Sequence, residues 1–174
     1  MNVRETPGPD PAKPEYTDAT AVISDDGEYR YRLSRTWDEE RPVLAFLMVN
    51  PSSADGDNDD RTITRCVKYA NGMGFGKLVV ANLFAVRSSD PAAIDTHPEP
   101  IGPENERYLR ATCDKADRVI AGWGRHGAKR GRGRDVATAV DVELYALDTT
   151  AAGHPCHPGR MPYDTTIERF EYDQ

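Results

Sequence analysis

Two short polar stretches have the residue types and spacing for chemistry. The first is Asn50-Pro51-Ser52-Ser53-Ala54-Asp55, running on to Asp59-Asp60-Arg61, immediately after the apolar residues 43–49. Asn50 brings an amide that donates and accepts, and Ser52 and Ser53 bring hydroxyls, a set suited to a sugar, a base edge or a phosphate. The same groups also suit a turn that caps its own backbone. The second stretch is His154-Pro155-Cys156-His157-Pro158. Imidazole titrates near neutral pH, so a histidine on a proline-braced loop fits a charge stabiliser or an acid/base. Zinc is the alternative, but it needs a further ligand, and neither Cys66 nor Cys113 stands at a ligand-like spacing.

Positive charge concentrates elsewhere. Residues 118–134 hold Arg118, Arg125, Lys129, Arg130, Arg132 and Arg134 and no acid. Most of these lie in a glycine-rich loop, where a bare backbone can approach an anion and a following helix N-terminus adds partial positive charge. Nucleotide or nucleic-acid phosphate is the expected ligand, and a solvated basic loop is the alternative. Arg61 and Arg65, four apart on a helix, repel unless a phosphate or a carboxylate lies between them. Asp55, Asp57 and Asp59 alternate like part of a calcium loop, but Asp60 and Cys66 stand where that loop requires Gly and Glu. Magnesium on one or two of these carboxylates is the remaining metal alternative; otherwise no cofactor is expected. Trp123 either stacks on a base or closes the core.

The elements that must position these groups follow from periodicity. Seven consecutive apolar residues at 43–49 predict a strand covered on both faces, stopped by Pro51. Residues 77–84 and 119–123 predict two more buried strands, and 144–147 a fourth short one. Ile63, Cys66, Val67 and Ala70 fall at helical spacing behind an Asp60 cap. A helix opens at 102–104, and another lies near 135–142. Residues 29–35 alternate as a half-exposed edge strand. The order β-α-β-α-β-α-β predicts an α/β fold, a three-layer α/β/α domain at 27–162 with a mainly parallel sheet. Proline-rich residues 1–20 read as a disordered tail, and 163–174 as a C-terminal extension.

Bulk properties narrow the class. The chain has 174 residues, room for one domain with a real core. Acids outnumber bases by 29 to 22, and only five residues are Lys, a balance suited to a high-salt cytoplasm. Three scattered cysteines argue against a disulfide framework. No signal peptide and no membrane-length apolar run is read, so the expectation is a cytoplasmic protein with no membrane partner.

The motifs Val49-Asn50-Pro51-Ser52, Asp59-Asp60-Arg61-Thr62-Ile63, Val80-Ala81-Asn82-Leu83-Phe84, Gly122-Trp123-Gly124 and His154-Pro155-Cys156-His157-Pro158 resemble a family of prokaryotic and phage proteins known as a domain of unknown function. The order of apolar strand, Asn-Pro, polar loop and helix, then a late His-Pro, is also similar to the uracil-DNA glycosylase superfamily. That resemblance implies a glycosylase-like fold and a hydrolase acting on a nucleoside or nucleic-acid N-glycosidic bond. Asn50 would position the attacking water, and His157 would stabilise charge on the departing base. Ser52, Asp55, Arg61, Arg65, Asn82, Trp123, His126, Arg130, Arg132 and His154 are the expected substrate-binding residues. The alternative function is a non-catalytic module that binds nucleotide or nucleic acid.

Overall fold

The computed structural model describes residues 2–173. Its centre is the strand read from the longest apolar run, β3 (Val43–Met48), and the sheet grows outward from it. The other strands are β1 (Asp18–Ile23), β2 (Arg30–Thr36), β4 (Lys77–Asn82), β5 (Arg118–Ala121), β6 (Leu144–Ala146) and β7 (Glu168–Phe170), in the order β1-β2-β4-β3-β5-β6-β7. The inner strands β4, β3, β5 and β6 are parallel, with Phe46 opposite both Val80 and Ile120. The flanking pairs β1–β2, β2–β4 and β6–β7 are antiparallel, so the sheet is mixed.

Helices α1 (Arg61–Gly72), α2 (Ala93–Thr96), α3 (Asn105–Lys115) and α4 (Arg132–Ala139) complete the α/β fold. Alternate residues of β3 serve two core clusters, as the pleat requires. Leu44, Phe46 and Met48 join Ile63, Cys66, Val67 and Ala70 of α1. Ala45 and Leu47 join Leu109 and Cys113 of α3 and Val136 of α4. The Asp60 cap forms as expected: its backbone is extended and its Oδ1 accepts from Ile63 N at 2.9 Å.

Three further expectations change. Residues 29–35 are not an edge, because β1 adds to β2 on the outer side, with Leu33 paired to Ala21 and also to Val80. The alternating polar residues do not mark one wet face: Arg30 and Ser34 are buried, and Arg32 is half-buried over the Tyr108 ring. The expected free tail instead lies along the domain. Arg4 N donates to Met73 O at 2.8 Å, Glu5 O accepts from Ile167 N at 2.8 Å, and Pro7 and Pro11 are buried. Proline-rich chain lacks donors for a ladder, but its carbonyls and rings pack without needing them. The C-terminal extension is also built in, since β7 completes the sheet and Ile167 and Phe170 are buried.

Arg35 ties the 50–61 loop to this frame. It is 1% exposed, and its Nε donates to Asp59 Oδ1 at 2.8 Å while its other nitrogens reach the carbonyls of Thr20, Ser34, Asp55 and Asn58. Asp59 also accepts from Tyr16 Oη at 2.5 Å and pairs with Lys13 at 3.2 Å. Burial pushes the Asp59 carboxyl up, but the bonds from Tyr16 and Arg35 outweigh it and hold the group below its usual value. A carboxyl with a depressed folded-state pKa contributes stability that is present above its unfolded value, about 4, and is lost as pH falls through the folded one. Asp59→Asn is expected to cost roughly 1–3 kcal/mol at neutral pH and to flatten the loss of stability below about pH 4. Thermal denaturation across an acid pH series checks both.

Candidate functional site

Parallel strands deliver their carboxyl ends to one level, and the ladder here runs on past them. Leu83 N donates to Met48 O at 2.8 Å, Phe84 N to Val49 O at 3.0 Å and Gly122 N to Leu47 O at 2.8 Å. Above these ends lies a cavity of about 460 Å³, within the size range of small-molecule sites. Met48, Val80 and Ile63 form its apolar wall, and it opens among the loops after β3, β4 and β5 and the His-Pro loop.

Asn50, Ser52, Asn82, Trp123, His126 and His157 of the expected residues all line this cavity. Asn50 has a double position. Its Nδ2 donates to Ser88 O at 2.9 Å and Pro51 O at 3.2 Å, with Val86 O at 3.4 Å, stapling the first loop to the next. The carbonyl half of the amide is what it can offer a ligand. Asn82, at the end of β4, is 1% exposed, and neither Nδ2 nor Oδ1 has a hydrogen-bond partner among the described residues. His157 Nδ1 accepts from Gly159 N at 3.0 Å, so the neutral ring carries its hydrogen on Nε2 as a donor.

Trp123 is 1% exposed and belongs to the core as well as to the cavity wall. Its Nε1 donates to Tyr172 Oη at 2.8 Å. Two glycines of the basic loop exist for this ring. A Cβ on Gly127 would stand 2.0 Å from Trp123 Cδ1, and one on Gly133 would stand 2.8 Å from Nε1. Gly124 turns the chain at φ 64° and donates to Pro155 O at 2.8 Å, which docks the His-Pro loop against the end of β5.

The remaining expected residues lie elsewhere. Arg65 Nε donates to Pro158 O at 2.9 Å, its Nη2 donates to Met161 O, and its guanidinium lies 4.4 Å from the Tyr163 ring centroid. It anchors a loop and forms no phosphate clamp with Arg61, which is exposed and off the cavity. Arg132 is buried, donating to Leu83 O at 2.9 Å and pairing with Glu106 at 2.5 Å. Arg130 donates to Ile94 O at 2.9 Å. The basic segment is therefore a 3-10 turn (Arg125–Gly131) leading into α4, with only Arg125 and His126 at the cavity. Asp55 is half-buried and holds its own turn, accepting from the backbone of Asp57 and Asn58, and these bonds keep its carboxyl low. His154 Nδ1 meets Tyr172 Oη at 3.1 Å, behind Trp123.

Several lining residues escaped the sequence reading. Ser88 and Ser89 follow β4 at the same sheet end as Asn50, a position that could have identified them. Asp60 reads as a helix cap, and it also faces the cavity. Cys156 lines it too, its thiol raised by burial and by Asp148 and so not a ready thiolate. Arg30 had no sequence signal at all. It is 2% exposed, its Nη1 donates to Ala54 O at 3.0 Å, and burial lowers it to about 10 against the attraction of Asp60. Among the described residues no group of three His, Cys, Asp or Glu is placed to hold a metal ion.

A family model described as "Protein of unknown function (DUF1643)" matches residues 30–159. Comparison with curated proteins and with solved structures finds no match.

The two kinds of arginine in the basic segment are separable by experiment. Arg132→Ala, which strips the Leu83 carbonyl of a buried donor, is expected to destabilise the protein by roughly 1–3 kcal/mol. Arg125→Ala is expected to leave the melting temperature unchanged and to weaken the salt dependence of anion binding. Thermal denaturation of both variants, with phosphate titrations at two ionic strengths, provides the readout.

Proposed function

Because the chain belongs to the DUF1643 family, whose description assigns no activity, we propose a function from the cavity itself: hydrolysis of a nucleoside or nucleic-acid N-glycosidic bond. The observation that carries this reading is Asn82, an amide 1% exposed with both polar atoms unpartnered among the described residues. Leaving such groups unsatisfied costs about 1–3 kcal/mol each. A ligand that offers a donor beside an acceptor, as a nucleobase edge does, would remove that cost. Asn50 and His157 line the same space, which a two-group reaction requires.

In this reading the bond from the sugar carbon to the base nitrogen breaks, and its electron pair goes to the base. His157 Nε2–H hydrogen-bonds the charge that develops there. Water, held by the Asn50 carbonyl, supplies the oxygen that bonds to the sugar carbon and gives up a proton. The Asp60 carboxylate is the acceptor on the cavity wall. Arg125 and His126 at the same wall suit the phosphate of a nucleotide or a nucleic-acid strand. The two core clusters on β3 support the finer description of a three-layer fold, while its uracil-DNA-glycosylase-like character rests on the sequence order of Asn50-Pro51 and the late His157-Pro158. Among the described residues no helix is long and apolar enough to cross a membrane, and a cytoplasmic setting goes with this substrate class.

One observation favours the second reading, a non-catalytic nucleotide- or nucleic-acid-binding module. The amide hydrogens of Asn50 are engaged by backbone carbonyls, which suits a loop staple with no chemical role. Incubation with a panel of nucleosides and with single- and double-stranded DNA and RNA, followed by chromatography of released base, separates the two. Hydrolysis predicts base release that drops on the order of a hundredfold or more in His157→Ala with binding retained. Binding without base release from any member of the panel would establish the module instead.

A further inference from the structure

We propose that Arg30 is a ligand-binding residue on the cavity wall, placed to receive an oxygen acceptor, so that the ligand presents an oxo or anionic oxygen there and not an amino group. The choice of probes rests on the nucleoside reading above; the placement of Arg30 does not.

The other buried arginines supply the comparison. Arg35 has the Asp59 carboxylate and four backbone carbonyls, and Arg132 has Glu106 and the Leu83 carbonyl. Arg30 is as deeply buried, yet it has one hydrogen bond, from Nη1 to Ala54 O, and its Nε is buried with no partner among the described residues. Asp60 attracts it from nearby but forms no ion pair with it, since Asp60 accepts from Ile63 N and Ala54 N. A guanidinium held away from water with so little compensation is costly to the folded chain. Arg30 combines that deficit with a place on the cavity wall.

Guanidinium offers donors only. A carbonyl or phosphate oxygen at that wall would complete its hydrogen bonds, whereas an amino group would set N–H against N–H. Asn82 on the same cavity can present either face of its amide, so it accepts both kinds of edge. Discrimination between oxo and amino ligands therefore falls to Arg30. Two sources share this chemistry, an oxo base and a phosphate, and the probes separate them.

The test uses the whole protein with uracil, hypoxanthine, adenine and inorganic phosphate, each titrated by calorimetry and thermal shift. Wild type is expected to bind uracil or hypoxanthine (the oxo source) or phosphate (the anion source), and adenine, the amino counterpart of hypoxanthine, about tenfold or more weakly. Arg30→Met should keep its melting temperature within a few degrees of wild type and lose at least about tenfold in affinity for the oxygen-bearing probe. Arg30→Gln, which retains a donor for the Ala54 carbonyl, is the second variant and must fold and show the same loss. Collapse of both variants would make Arg30 purely structural and overturn the proposal. So would unchanged affinity in either variant, equal binding of amino and oxo probes, or no binding of any oxygen-bearing probe. Binding that fits the expectation without base release removes the hydrolase and leaves Arg30's role standing; base release undiminished in Arg30→Gln does the reverse.

Discussion

The buried indole of Trp123 is the constraint from which the second half of the molecule follows. A ring of that size at the end of a parallel strand leaves no room for side chains beside it, and Gly127 and Gly133 stand where a Cβ would collide with it. The basic segment must therefore wrap the ring tightly, as a 3-10 turn and then α4. The ring nitrogen needs an acceptor once buried, and Tyr172 supplies it from the chain's last residues, so β7 and the C-terminus become part of the same wall. Gly124 bends the backbone directly after the ring and takes the Pro155 carbonyl, which sets the His-Pro loop and His157 beside the cavity.

Arginine does much of its work here as a backbone fastener. Arg35, Arg65 and Arg132 each reach at least one carbonyl in an irregular segment, and Arg130 reaches one in the single-turn helix α2, where ladders leave oxygens unpaired. Five donors on a planar fork satisfy several such oxygens at once. This explains why a stretch dense in positive charge presents only Arg125 and His126 to the cavity. It also explains how an acidic protein keeps its loops ordered with little regular structure in them. Arg30, with donors in surplus, is the departure from that pattern.

The cavity joins groups of opposite demand. Asp60 is fixed by the helix it caps and brings negative charge, while Arg30, Arg125 and two histidines bring positive charge or donors. In the proposed hydrolysis, groups of both kinds on one cavity wall would polarise the bond that breaks. Met48, Val80 and Ile63 behind them exclude water from one side, which strengthens each of these interactions.

Sequence alone determined the frame of this protein. An apolar run closed by Pro51 predicts a covered strand, and the spacing of Ile63, Cys66, Val67 and Ala70 predicts one buried helix face, so β3, β4, β5 and α1 were legible to within about two residues at their ends. The level of the strand ends then placed Asn50, Asn82 and Trp123 together, because parallel strands share a direction. Tertiary structure decided everything that depends on who pairs with whom. Charge along the chain cannot show whether Arg65 or Arg132 meets a phosphate or a carbonyl, since the carbonyl that claims it lies 93 or 49 residues away. The proline-rich start read as a free tail because the partners of Arg4 and Glu5, at Met73 and Ile167, also lie far along the chain. Arg30 became visible only once the fold had buried it against a cavity and left it short of partners. A hydrogen-bond deficit is a property of a surrounding shell, and the shell is assembled from the whole chain.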